Sequence, residues 1–132
     1  MNNRQLKFRV WDKLEKRFIY PDRGYQGHYI LTLNGKFYNL QDGSGGDGCI
    51  VHQFTGFIDS KGNEVWEGDV VRIIYEGKIA EVYFDYNLGS FRLKDTNGKS
   101  YPITTYRFDE SGNPIGLINV FDEVIGTVFD NE

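Results

Sequence analysis

By type, the residues best suited to nucleophilic or metal chemistry are Cys49, His28 and His52, and their spacing does not assemble it. Cys49 stands three residues before His52, so on a strand the two side chains point to opposite faces. A metal site or a Cys–His nucleophile needs a third group to hold or orient the pair, and no spacing marks one. A lone cysteine of this kind reads as a small buried hydrophobe. The glycine-rich run Gly43–Gly48 invites comparison with a phosphate cradle. A phosphate loop continues into Gly-Lys-Ser/Thr and a helix, which aims amide groups and a lysine at the ligand. Here the chain continues Cys-Ile-Val-His, a strand, so the run is read as a flexible surface loop. Glu67 and Asp69 flank Gly68, and paired carboxylates can share acid and base roles where a cleft separates their pKa values. On a turn the same trio accepts backbone N–H groups and fixes a structural corner, which is the reading preferred here. The sequence therefore names no catalytic residue, no metal ligand and no cofactor.

One further set of residue types has the right chemistry for a ligand. Arg4, Lys7, Arg9, Lys13, Lys16, Arg17 and Arg23 interleave with Phe8, Trp11, Phe18 and Tyr20. Cations track a phosphate backbone and aromatic faces stack bases, so Arg4, Lys7, Arg9, Trp11, Lys13, Lys16, Arg17 and Arg23 form a candidate nucleic-acid-binding set. The global charge opposes it. Residues 1–23 carry a net +4, whereas the remainder carries −8, and from Asp109 onward there are six acids and no lysine or arginine. An acidic protein repels the same backbone that a basic segment would attract. The opposed ends can instead attract one another, within the fold or between copies.

The elements that must position these residues are short strands. With 132 residues, 39% hydrophobic and 16% aromatic content, the chain is in the globular class and can bury one sizeable core or two small ones. Sixteen glycines, nineteen Phe and Tyr, and Ala80 as the only alanine favour strands punctuated by turns over helices. Lys7–Asp12 alternates, with a phase slip at Trp11, and pairs across a polar turn with Phe18–Tyr20. Tyr29–Leu33 and Lys36–Leu40 flank Asn34-Gly35, which predicts a hairpin closed by a type I′ turn with both residues at positive φ. Strands follow at Cys49–Phe57, Val65-Trp66, Val70–Tyr75, Ile79–Tyr86, Ser90–Lys94, Ser100–Phe108 and Val124–Phe129, with a helical turn suggested at Ile118–Asp122. Such spacing predicts an all-β chain of short antiparallel strands: N-terminal hairpins over residues 1–48, ending in the glycine-rich loop, and a small SH3-like barrel over residues 49–132.

Three stretches in series resemble the YopX family of phage and prophage proteins. They are Lys7–Asp12, the segment from Gln53-Phe54-Thr55-Gly56 through Asp59, Lys61-Gly62 and Glu67-Gly68-Asp69-Val70-Val71, and the closing Glu123–Phe129. Order and approximate spacing match over nearly the whole chain. Trp66 stands where Tyr or Ile is more typical, and Phe57 where Leu is; both keep an apolar side chain. The resemblance implies a small, mainly β protein encoded in a bacteriophage or prophage, and it brings no catalytic residue or ligand with it. With no apolar leader in MNNRQLKFRVW and a single cysteine, the chain reads as soluble in the reducing cytoplasm of a bacterial host, with no membrane partner. The functional expectation is a non-enzymatic accessory protein that binds a host or phage protein or another copy of itself. A nucleic-acid-binding protein using the basic, aromatic N-terminal hairpin is the alternative.

Overall fold

Three turns of one sequence pattern organise much of the chain. Asp59-Ser60-Lys61-Gly62-Asn63, Asp95-Thr96-Asn97-Gly98-Lys99 and Asp109-Glu110-Ser111-Gly112-Asn113 share an Asp at the first position and a Gly at the fourth. In each, the Asp carboxylate accepts the amides two and four residues on, at 2.7–2.9 Å. The Asp amide bonds the carbonyl four residues on, and the glycine amide bonds the Asp carbonyl. The glycine takes φ +84°, which a side chain would strain.

The structure is a computed structural model that describes residues 6–21, 29–40, 43, 45–74 and 77–130. The chain divides into two compact units, the first ending at Phe54 and the second beginning at Thr55. In the first unit, strand β1 (Phe8–Asp12) pairs antiparallel with β2 (Arg17–Ile19) on one side, Val10 opposite Ile19. On its other side it pairs with the start of β5 (Cys49–Ile58), Arg9 opposite His52. A separate hairpin joins β3 (Tyr29–Leu31) to β4 (Phe37–Asn39). The phase slip at Trp11 has a cause in packing. Arg9, Val10 and Trp11 are all buried, so β1 is covered on both faces and its sequence does not alternate cleanly. Among the described residues, Val10, Trp11, Phe37 and Phe54 are the buried apolar residues of this unit.

The Asn34-Gly35 turn differs from expectation. The hairpin forms, but only Gly35 has positive φ, and the turn is the Asp-type turn above with Thr32 in place of aspartate. Thr32 N–H bonds the Lys36 carbonyl, and the Thr32 hydroxyl accepts the Lys36 amide at 2.9 Å. Gln41, Asp42 and Ser44 lie outside the described residues. The described part of that loop is tied down: Gly45 bridges Tyr38, a 3-10 turn spans Gly46–Gly48, and the Lys13 amide bonds the Gly48 carbonyl.

The second unit holds the later part of β5, which neighbours β6 (Glu64–Trp66), and a five-stranded antiparallel sheet. That sheet runs β10 (Ser100–Pro102), β9 (Ser90–Asp95), β8 (Ile79–Asp85), β7 (Asp69–Ile73), β13 (Phe121–Thr127) and curls into a half-barrel. Its concave side buries Val71, Ile73, Ala80, Val82, Leu93 and Phe121, with Val65, Ile103 and Val120 from outside it. Two register shifts in β13 supply part of the bend. Ile103 interrupts the expected Ser100–Phe108 strand, so β10 ends there and β11 (Thr104–Phe108) leaves the sheet to pair with β12 (Pro114–Asn119). The helical turn suggested at Ile118–Asp122 is strand instead: Ile118 and Asn119 end β12, Phe121 and Asp122 begin β13, and Val120 turns between them to donate to the Ile103 carbonyl at 2.7 Å. Among the described residues no helix is long and apolar enough to cross a membrane.

Candidate protein-interaction surface

Of the three residues suited by type to nucleophilic or metal chemistry, the structure describes Cys49 and His52. Cys49 is half-buried opposite Asp12, and His52 is buried opposite Arg9. Burial, and secondarily the Arg9 guanidinium, pushes the His52 pKa down to about 4, so the imidazole is neutral near pH 7. His28 lies outside the described residues. No group of three or more His, Cys, Asp or Glu able to hold a metal occurs among the described residues.

At the corner, Gly68 has φ +85° between β6 and β7. Its amide donates to the Val82 carbonyl at 2.8 Å, and its carbonyl accepts the Val128 amide at 2.9 Å. The Asp69 carboxylate, 2% exposed, accepts the Trp66 amide at 2.7 Å. Glu67 sits on the turn between them. A carboxylate committed to a backbone amide within three residues shapes the turn. A second buried acid sits nearby in sequence. Asp59 anchors the β5–β6 turn and also accepts the Val124 amide of β13 at 3.0 Å. Burial alone would raise its pKa, but the amides of Val124, Asn63 and Lys61 and the Asn63 side chain hold it below the usual carboxylate value.

The basic–aromatic set splits. Arg9 is 3% exposed with its guanidinium 4.2 Å from the Phe18 ring centroid, and Trp11 meets the same ring edge-on at 4.9 Å. Both are interior residues and present nothing to a phosphate backbone. Lys7 is half-buried over the Phe54 ring, 4.8 Å from its centroid. Lys13, Lys16 and Arg17 are exposed together on the β1–β2 turn, where the Asp12 carboxylate caps the Leu14 and Glu15 amides. Arg4 and Arg23 lie outside the described residues.

The feature best suited to contact a partner is not among the candidates drawn from sequence. The β11–β12 hairpin forms a two-stranded sheet of its own. Tyr106 stands opposite Leu117 and Phe108 opposite Pro114, with a register shift at Arg107/Phe108 that leaves Ile115 as the extra residue. Tyr106 and Phe108 lie on one face, ring centroids 6.4 Å apart. Tyr106, Phe108, Ile115 and Leu117 are 59%, 58%, 56% and 63% exposed. The charged Arg107 falls on the opposite face, and Thr104 and Asn119 close the base of the apolar one. The signal that finds this hairpin is the Asp109–Asn113 turn, whose pattern repeats that of Asp59 and Asp95 and so demands a strand on each side.

A family model described as YopX protein matches residues 7–132. None of the curated proteins matches the chain. The crystal structure of protein EF1440 from Enterococcus faecalis is similar, with a TM-score of 0.53 at 20% identity over 96% of this chain and 95% of that one. At that identity the likeness establishes a shared fold.

Proposed function

Because this chain belongs to the YopX family, we propose that it is a phage or prophage accessory protein that works in the bacterial cytoplasm by binding another protein and catalyses no reaction. In this reading the second unit is a small barrel of the SH3-like kind that serves as scaffold, and the β11–β12 hairpin is the contact element. The observation that carries the reading is the exposed apolar face of Tyr106, Phe108 and Leu117, with the exposed Ile115 at the register shift beside it. Isolated apolar side chains on a surface are ordinary; three large ones side by side, two of them aromatic, have the composition of an interface core. The test is affinity capture from host lysate by tagged wild type and Leu117→Asp, each split into nuclease-treated and untreated halves. Nuclease-resistant capture that Leu117→Asp abolishes supports the reading. Capture that both proteins share, or that nuclease abolishes, sinks it.

A second reading has its own observation: Lys13, Lys16 and Arg17 are exposed on one turn. If they hold single-stranded nucleic acid, replacing Lys16 and Arg17 by Gln weakens binding and flattens its salt dependence, by roughly one unit of slope for each phosphate no longer neutralised. An unchanged slope removes this alternative.

A further inference from the structure

We propose that the apolar face of the β11–β12 hairpin is a dimer contact, on which a second copy of this chain packs face to face. The inference rests on the protein-binding reading and names the partner. A two-stranded hairpin is marginal in water unless another layer covers its apolar side. Here the side chains that such a layer would cover are each more than half exposed. The base of the hairpin is held, through Asn119 Nδ2 on the Ile58 carbonyl at 3.1 Å and Val120 N–H on the Ile103 carbonyl at 2.7 Å. Its apolar face is therefore presented on a fixed stem.

The area available fits a second copy. A large apolar side chain offers on the order of 150–250 Å² when fully exposed. At the observed exposures, Tyr106, Phe108 and Leu117 together leave roughly 350 Å² of mostly apolar surface, to which the exposed Pro114 opposite Phe108 adds. A stable two-protein interface buries about 800 Å² per partner, of which a little under 60% is apolar, or about 450 Å². One hairpin face per copy thus supplies most of the apolar core such an interface needs, and two copies supply both halves by symmetry.

Charge permits the same pairing. Alternation leaves no ionisable side chain among the paired residues of this face, since Arg107 points the other way and the flanking positions are Thr104 and Asn119. The nearest acids, Asp109 and Glu110, lie on the exposed turn at the tip of the hairpin, beyond the paired residues. The same neutrality gives a phosphate backbone nothing to hold.

The test is sedimentation equilibrium of the full chain from about 1 to 200 μM, at low salt and at roughly 0.5 M salt, for wild type, Leu117→Asp and Phe108→Ser. Circular dichroism and a thermal melt confirm that each variant is folded. The expected result is a wild-type dimer whose dissociation constant changes less than about threefold with salt and rises roughly 100-fold or more in Leu117→Asp. Phe108→Ser gives a change of the same sign. A wild type monomeric at every concentration overturns the proposal. So does a dimer that Leu117→Asp and Phe108→Ser leave intact, or one that dissolves in salt, which would place the contact between the basic and acidic ends instead. A monomeric wild type that nonetheless captures a different protein in a Leu117-dependent manner overturns self-pairing while leaving the protein-binding reading in place.

Discussion

Replacing His52 should remove a specific acid lability from the first unit, and its size follows from the burial of that side chain. His52 is 9% exposed, lies opposite Arg9 on the neighbouring strand, and has its pKa pushed down from 6.5 to about 4. A histidine whose folded pKa is depressed binds its proton in the unfolded chain first. The folded state is therefore at full advantage above about pH 6.5 and loses stability as pH falls toward 4. Linkage over that window gives a loss of about 2 kcal/mol at pH 5 and about 3 kcal/mol at pH 4. In His52→Gln that loss disappears, because glutamine does not titrate. Denaturant unfolding followed by Trp11 fluorescence, in a Trp66→Phe background so that only the first unit reports, measures the difference between pH 7 and pH 5. The wild type should lose about 2 kcal/mol more than His52→Gln. Direct NMR titration of the imidazole should give a midpoint near 4. Arg9→Met should raise that midpoint only part of the way, since burial is the larger cause. Parallel pH profiles for wild type and variant, or a midpoint near 6.5, would refute this account of His52.

Other perturbations have equally direct readouts. Lys16 adopts φ +53° at the end of the β1–β2 turn, where Gly89 (φ +66°) serves the corresponding β8–β9 turn, so Lys16→Gly should raise unfolding free energy by about 0.5–1 kcal/mol. Gly45→Ala should destabilise the first unit by about 2 kcal/mol or more: at φ +121° its Cβ would strike the Phe37 carbonyl oxygen and lie 2.7 Å from Tyr38 Cα. Asp69→Ala leaves the Trp66 amide buried without its acceptor and should cost about 1–3 kcal/mol in denaturant unfolding. Asp59→Ala removes acceptors from the Lys61, Asn63 and Val124 amides and should cost at least about 2 kcal/mol at pH 7. Because the Asp59 pKa is depressed, that deficit should shrink as pH falls below about 4, where wild type loses the same bonds by protonation.

How much of the fold is legible in the sequence depends on which physical signal each residue carries. Turns are legible because their chemistry is local. Asp59-Ser60-Lys61-Gly62-Asn63 and Thr96-Asn97-Gly98-Lys99 declare themselves by a carboxylate or polar run followed by glycine. The third copy of the pattern reads as a loop because Pro114 and Gly116 weaken the strand after it. Pro114 is tolerated as the first residue of β12, and Gly116 sits beside the register shift. Asn34-Gly35 misleads in the other direction. The dipeptide suits a two-residue turn, but Thr32 supplies a hydroxyl acceptor and converts the connection to the longer form. At β1 the limit is tertiary, since Arg9 and Val10 are buried on opposite faces by neighbours far along the chain.

The exposed apolar hairpin is hidden for a different reason. Tyr106, Phe108 and Leu117 alternate along their strands as Ala80, Val82 and Leu93 do along theirs, yet the first three are exposed and the second three form the core. Period-two alternation reports that one side of a strand is apolar; it carries no information about whether a second layer of the same chain covers that side. The same ambiguity runs through the cations. Arg9 and Lys13 are four residues apart in one basic segment, but Arg9 is buried over Phe18 while Lys13 faces solvent. Counting charge along the sequence therefore overstates the basic surface, and counting apolar residues does not locate the uncovered one. Subtracting interior residues from each count reverses their weights. The described basic set retains Lys13, Lys16 and Arg17 as exposed cations beside the exposed Glu15. The hairpin retains Tyr106, Phe108 and Leu117 as adjoining exposed apolar side chains with no charge among them. An apolar patch of that size is costly to leave in water, whereas three solvated cations are not, and on that asymmetry we propose protein binding ahead of nucleic acid.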